Sequence, residues 1–213
     1  MSPAIASRKA LHYQLLQAHT IRRRHFQPEQ GRPLVPIMNY RILPVAEALI
    51  PSFREAADAI FRESRMFSFS EAPPLEQFKQ FVLSTIRNDE PQFVAVSDDA
   101  VIGWCDILVK PRPAQRHSGV LGVGVLSDYR RQGIGRALLE ATIDAAKSKG
   151  LTRIELYVRT DNENARRLYE QLGFGVEGQL RKHILIDGAY RDSYIMSVIM
   201  EKAQPYLHRT GDT

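Results

Sequence analysis

The spacing of apolar positions divides the chain into short β-rich runs and amphipathic helices. Tyr40-Arg41-Ile42-Leu43 reads as a strand, and Val45 to Arg65 as a helix interrupted early by Pro51. Leu75, Phe78, Val82 and Ile86 recur at helical spacing after Pro74. Gln92–Val96 and Val101–Val109 are β-rich runs joined at Ser97-Asp98-Asp99, which predicts a hairpin, and Val120–Leu126 is a third. A helix is expected from Gln132 to Lys149, with Ile134, Leu138, Ala141 and Ala145 as its stripe and Gly150 beyond its end. Leu151–Val158 alternates as a strand. A further helix is expected from Asp161-Asn162, good N-caps, through Ala165, Leu168, Tyr169 and Leu172 to the stop at Gly173. Leu180–Ile186 and Tyr190–Met200 flank Asp187-Gly188, a strong hairpin signal. The order predicts an α/β fold, a mixed sheet flanked by helices, in one domain.

Residues 1–38 do not share this regularity. Arg8 to Arg24 is weakly amphipathic, and Pro28, Gly31, Pro33 and Pro36 then exclude regular structure. Met38-Asn39-Tyr40-Arg41 opens a domain naturally, so the stretch reads as a solvated extension from an upstream start and not as part of a catalytic core; a transit peptide or a surface-binding arm is the competing reading. The expected organisation is an extension over 1–38, a domain over 39–202 and a tail over 203–213.

Composition changes this picture in one place. The net charge of +5 would by itself point to nucleic acid. Residues 1–38 hold six basic side chains against Glu29 alone, which accounts for all of it; the remaining residues carry 23 basic and 23 acidic groups. The domain is therefore not basic, which argues against nucleic acid as its partner. No stretch approaches the roughly 20 apolar residues that span a bilayer. A lone cysteine, Cys105, excludes an intramolecular disulfide and makes a reducing, cytoplasmic setting the expectation. It is read as buried and structural, and no histidine spacing points to a metal site.

The chemistry concentrates between Val123 and Arg136. A strand, Val123-Gly124-Val125, leads through a polar turn, Arg130-Arg131-Gln132, into a helix opening with Gly133-Ile134-Gly135-Arg136. Helix N-termini present unpaired N–H groups that bind phosphate, and glycine lets the anion approach the backbone. Arg130, Arg131 and Arg136 add charge there. A dinucleotide fingerprint fails because Gly122-Val123-Gly124 lies inside the strand, and a Walker A loop fails for want of Gly-Lys-Ser/Thr.

Arg130-Arg131-Gln132-Gly133-Ile134-Gly135 resembles the R/Q-x-x-G-x-G/A signature of the GNAT superfamily of N-acetyltransferases. Asn162 to Ala165 with Leu168-Tyr169-Glu170-Gln171-Leu172-Gly173-Phe174 is similar to that family's second block. The resemblance covers roughly residues 40 to 200. It implies a V-shaped sheet whose splayed parallel strands admit acetyl-CoA, the acetyl donor to an amine acceptor, and no metal. By position it implies that the backbone of Val123, Gly124 and Val125 pairs with the pantetheine arm, and that amides from Arg131 to Arg136 hold the pyrophosphate. Asn162 would contact the cofactor, and Tyr169 would act as general acid on the departing sulfur.

No general base is assigned. Many relatives carry an acid on a splayed strand, but Val120 to Val125 has none. Glu155 is expected to be solvated, Tyr157 stands where some relatives have glutamate, and His117 is expected at the surface. The expected activity is direct acetyl transfer to a primary amine: a small amine, an amino acid, a polyamine or a protein N-terminus. The alternatives are a catalytically silent acyl-CoA-binding regulatory module and a nucleic-acid-associated protein using the arginine-rich arm. A homodimer through the C-terminal hairpin is expected on family analogy alone.

Overall fold

The computed structural model describes residues 39–201 except 65, 66 and 68; the readings made on 1–38 and 203–213 fall outside them. Seven strands form one sheet in the order β1-β2-β3-β4-β5-β7-β6. They are β1 (Arg41–Pro44), β2 (Gln92–Ser97), β3 (Ala100–Val109), β4 (Ser118–Val125), β5 (Arg153–Arg159), β6 (Gly175–Ile186) and β7 (Ala189–Ile199). The helices are α1 (Ile50–Ser64), α2 (Leu75–Arg87), α3 (Ile134–Ser148) and α4 (Glu163–Gln171). Among the described residues no helix is long and apolar enough to cross a membrane.

The central strands are covered on both faces, so β2 is buried at all six positions, with Phe93 to Val96 a continuous apolar run between Gln92 and Ser97. On one face Phe53 and Ile60 of α1 and Phe78 and Val82 of α2 pack against Val94 and Trp104. On the other, Ile134, Leu138 and Leu139 of α3 and Tyr169 of α4 pack against Cys105, Ile107, Ile154, Leu156 and Met196. Alternation along β3 thus sends Trp104 to the first layer and Cys105 and Ile107 to the second.

Element boundaries moved where backbone stereochemistry overrode periodicity. A 3₁₀ turn at Glu47–Leu49 precedes α1, and Pro51 falls in the first turn of α1, where its missing N–H costs nothing. α3 begins at Ile134, two residues later than expected, because Gly133 is left-handed with φ 84°. β6 starts at Gly175, five residues before the expected Leu180. As an edge strand it is largely exposed and polar, and its pairing with β7 shifts register at Val176/Gly178 and Leu180/Ile184, so no alternation marked its start. Both two-residue hairpins formed as expected: Asp98 and Asp99, and Asp187 and Gly188, all have positive φ, the type I′ requirement.

One strand junction positions everything that follows. β4 and β5 pair in parallel through Ser118↔Arg153, Gly119↔Ile154 and Val120↔Glu155 only. Beyond Val120, β4 stays with β3 as far as Gly103↔Val125, and β5 stays with β7 as far as Arg159↔Ser193. The two strands therefore part into the V that the family resemblance implies.

Glu155 sits at the vertex. It is buried at 4% exposure, not solvated as expected. Lys110 Nζ lies 2.6 Å from its Oε1, and Arg153 Nε lies 3.4 Å from its Oε2. Arg153 extends the chain of charges to Glu177, 2.8 Å away, whose carboxyl is held down at about 2 by hydrogen bonds from Arg153 and Ser197. A buried carboxylate is tolerable when paired in this way. Glu155→Gln is expected to destabilise the fold by about 1–3 kcal/mol, because Lys110 loses its carboxylate partner while Arg153 keeps only Glu177 and Ser197. Chemical denaturation measures this, and an unchanged midpoint would remove Glu155 from the vertex.

Candidate functional site

A short 3₁₀ turn, Ser127–Tyr129, links β4 to α3, and the backbone then passes through two left-handed residues, Arg131 (φ 60°) and Gly133 (φ 84°). Among the described residues, none of the amides from Arg131 to Arg136 donates to a backbone carbonyl; the first helical bond runs from Ala137 N–H to Gly133. Six backbone donors are thus left without a backbone acceptor at the positive end of α3. The turn is braced by Gln132 Nε2, which donates to the Asp128 carbonyl at 3.0 Å. Ile134 is buried in the core beneath.

The two glycines of the turn have different reasons. Gly133 is needed for its dihedral angle. Gly135 has an ordinary one, and an added Cβ would meet Leu168 and Val125 only at 3.9 Å. Packing within the chain therefore does not require glycine at 135.

The arginines are less uniform than their spacing implied. Arg130 turns back: its Nε donates to the Val125 carbonyl at 2.9 Å and its guanidinium pairs with Glu63 at 3.1 Å. It locks the turn onto β4 and α1. Arg136 is engaged by Gln171 and lies 3.8 Å from Glu140. Arg131 is exposed and makes no ion pair among the described residues.

The V opens directly beside this turn. Val123, Gly124 and Val125 pair with Cys105, Trp104 and Gly103 of β3, and β5 offers them no rung. Gly124 lies under the Trp104 ring, where an added Cβ would come within 2.5 Å of ring carbons. Asn162 Oδ1 accepts the Ala165 N–H at 3.3 Å and caps α4. Tyr169 is buried beside Phe174, with ring centroids 5.9 Å apart. Its hydroxyl makes no hydrogen bond among the described residues. Burial, and secondarily Cys105, pushes the phenol above its ordinary range, so it keeps its proton at neutral pH.

The opposite face of the sheet holds a group that the sequence reading missed. Asp106 of β3 is buried at 9% exposure and stands in register with Gly122 of β4. Its Oδ1 lies 2.9 Å from where a Cβ on Gly122 would be. Gln92 Nε2 approaches its Oδ2 at 3.4 Å, and Gln92 Oε1 lies 2.7 Å from the Thr85 hydroxyl. Burial pushes the Asp106 carboxyl up to about 7, against the hydrogen bonds from Gln92 and the Gly122 amide. Asp106 lines a cavity of about 470 Å³ with Phe53, Phe61, Phe78 and Trp104. The signal in the sequence was one acid inside the apolar run Val101–Val109; that it faces a glycine follows from the strand register.

The other expectations are resolved as follows. His117 is exposed, and its carbonyl, not its ring, receives the Thr152 N–H at 2.9 Å. Tyr157 is 44% exposed and stacks near His183 with centroids 5.3 Å apart. Cys105 is fully buried, and burial raises its thiol well above the usual range, so it is structural as expected. No cluster of metal-ligating side chains occurs among the described residues.

Comparison with known proteins meets this geometry. Residues 51–174 match the model of the acetyltransferase (GNAT) family. The L-amino acid N-acetyltransferase AaaT of Escherichia coli is 36% identical over 107 residues, covering 50% of this chain and 66% of that protein. The [ribosomal protein bS18]-alanine N-acetyltransferase of Escherichia coli is 38% identical over 79 residues, covering 37% of this chain and 53% of that protein. The matched stretches thus span between about half and just under two thirds of these relatives. A ribosomal-protein-alanine N-acetyltransferase from Brucella melitensis superposes with TM-score 0.71 at 25% identity, over 75% of this chain and 99% of that one. A Salmonella typhimurium protein whose structure includes its cofactor acetyl-CoA shares the fold, with TM-score 0.72 at 18% identity over 78% of this chain and 96% of that one. The family's matched span contains the V, the left-handed turn and α4, and the chain belongs to the GNAT acetyltransferase family.

Proposed function

We propose that the protein transfers an acetyl group from acetyl-CoA directly to a primary amine. The observation that carries this reading is the parting of β4 and β5 after Val120, next to six unpartnered amides at the start of α3. An unsatisfied strand edge accepts an extended amide-bearing chain as it would another strand. A helix N-terminus with a left-handed glycine turn accepts a pyrophosphate. Pantetheine diphosphate has both features, joined in that order.

The residues fit this donor. The backbone of Val123, Gly124 and Val125 would hold the amide-bearing arm, and the amides of Arg131, Gln132, Gly133, Ile134, Gly135 and Arg136 would hold the phosphates. Arg131 is the cation best placed to add charge. Arg130 would act through the turn it braces, since its guanidinium is committed to Glu63. Asn162 would serve through its side-chain NH₂, its oxygen being used to cap α4. When bound, acetyl-CoA supplies the activated acetyl thioester. Tyr169 holds its proton at neutral pH and would deliver it to the departing sulfur, whose thiol pKa near 8.5 asks little of the acid.

The acceptor class narrows by relatives' names only to amines at large: one acts on L-amino acids and another on a ribosomal-protein alanine. Free-thiol release across a panel of amino acids, polyamines, arylalkylamines and N-terminal peptides is expected to show acetyl-CoA- and amine-dependent turnover. Acetyl-CoA binding without turnover on any amine would favour the silent CoA-binding module instead.

Tyr169→Phe is expected to lower kcat by about 100-fold while acetyl-CoA affinity, measured by calorimetry, stays near wild type. Equal loss of both would make Tyr169 a packing residue. Gly133→Val forces a β-branched residue to φ 84° and is expected to weaken acetyl-CoA binding by about tenfold or more. Unchanged affinity in a folded variant would refute the phosphate assignment.

A further inference from the structure

The base in this reaction has no candidate on the splayed strands themselves. β4 carries no acid between Val120 and Val125, and Glu155 of β5 is consumed by Lys110 and Arg153. The strand register supplies another. Val120 forms the last rung to β5 and pairs with Leu108 on its other side; the next same-face pair along is Gly122 with Asp106. Asp106 therefore stands one pleat into the opening of the V. Gly122 has no side chain, and the Asp106 carboxylate occupies the space that a side chain on β4 would take, with Oδ1 2.9 Å from that Cβ position.

The sides of the sheet matter equally. Cys105 and Asp106 are adjacent on β3 and point to opposite faces. Cys105 shares its layer with Tyr169, whereas Asp106 shares the layer of Trp104 and opens into the aromatic cavity. A donor lying in the V would thus have Tyr169 on one side and Asp106 on the other. We infer that Asp106 takes the proton from the acceptor amine, and that the cavity above it admits an amine bearing an apolar, aromatic-sized group. This inference rests on the acetyltransferase reading.

The surroundings of Asp106 suit the role. Apart from Asp106, the cavity-lining residues of α1, α2 and β3 include no charged group; Gln77 is the polar exception. Glu90 is the other acid that acts on Asp106, and it raises the carboxyl, while Gln92, itself bonded to Thr85, holds its geometry. An ammonium entering this cavity meets one anion and otherwise aromatic faces, which also attract cations. A carboxyl near 7 is matched to proton transfer at neutral pH.

The step balances as follows. The ammonium R–NH₃⁺ gives one proton to the Asp106 carboxylate, and the freed lone pair forms the C–N bond to the acetyl carbonyl carbon. The C–S bond breaks and its electron pair leaves on sulfur, which takes the Tyr169 proton and ends as the thiol; the second nitrogen proton, lost as the amide forms, returns to Tyr169 and restores the phenol. Asp106 releases its proton to water, which resets the site.

The test compares Asp106→Asn with wild type using 2-phenylethylamine and spermidine as acceptors. Wild-type kcat/KM for 2-phenylethylamine is expected to rise with pH through about 7 and to exceed that for spermidine by about tenfold or more. Asp106→Asn is expected to lose about 100-fold or more in kcat/KM and to lose that rise, with acetyl-CoA affinity retained. Its Tm should not fall. A carboxyl raised in the folded state costs stability above its unfolded pKa, and the amide removes that cost. A wild-type rate and pH profile in Asp106→Asn overturns the inference, as does equal or better use of spermidine. Turnover of amino acids or peptides but of neither amine overturns the inference, whereas acetyl-CoA binding with no turnover across the whole amine panel makes the acetyltransferase reading fail by itself. Calorimetric binding of 2-phenylethylamine then decides Asp106: tenfold weaker binding in Asp106→Asn keeps it as the ammonium partner, and equal affinity removes it.

Discussion

The fold depends on a parallel ladder that stops after three rungs. In an ordinary sheet, strands that pair once continue to pair, because each abandoned rung leaves backbone groups to be satisfied elsewhere. Here β4 is held to β3 and β5 to β7 along their lengths, while the rungs between β4 and β5 end at Val120↔Glu155. The vertex is pinned by a buried carboxylate between two cations, Lys110 and Arg153, and the second of these reaches across to Glu177 on β6. The open part of the V then carries unpaired edges on its inner sides. Those edges are both the cost of the arrangement and its use, since an extended ligand rich in amides can take the place of the missing strand.

The rest of the site is arranged around that opening by simple strand geometry. Because successive side chains on β3 alternate in direction, Cys105 and Asp106 sit on opposite faces of one strand, and the layers above and below receive different chemistry. The α3–α4 layer contributes the phosphate turn and a phenol that burial keeps protonated. The α1–α2 layer contributes an aromatic cavity with a carboxyl that burial moves to about 7. Glycines at 122 and 124 allow Asp106 and Trp104 to lie close over β4, with added Cβ atoms excluded at 2.9 Å and 2.5 Å. One physical effect, the poor solvation of charge in a dry interior, acts on both titratable groups in the same direction. It makes the phenol hold its proton more tightly and puts the carboxyl near neutrality.

Element type was legible wherever burial was regular. The apolar stripe of α3, the alternation of β5 and the Asp-Gly and Asp-Asp hairpins appear in the structure, while of the α2 stripe only Phe78 and Val82 are buried and Leu75 and Ile86 are exposed. Boundaries were lost where stereochemistry or exposure took over: Gly133 delays α3, and the polar edge strand β6 hides its first five residues. The phosphate turn was legible because its chemistry is local, with donors, glycines and the start of a helix contiguous in sequence. Arg130 shows the limit of that reading, since spacing placed it at the turn but could not show that Glu63 on α1 would claim its guanidinium.

The sequence by itself determined the alternation of strands and helices, the glycine-bearing turn at the head of α3 and the family to which the chain belongs. Each is carried by residues within one helical turn or one hairpin of each other. Only the tertiary structure decided the fate of the two acids. Glu155 looked like a solvated strand residue and is buried because strand pairing brings Lys110 and Arg153 to it. Asp106 looked like one polar residue in an apolar strand and faces an aromatic cavity because β4 presents a glycine opposite it. Burial and charge partnership depend on segments distant in sequence, and those properties separate a carboxylate held between two cations from one that, among the described residues, has no cation beside it.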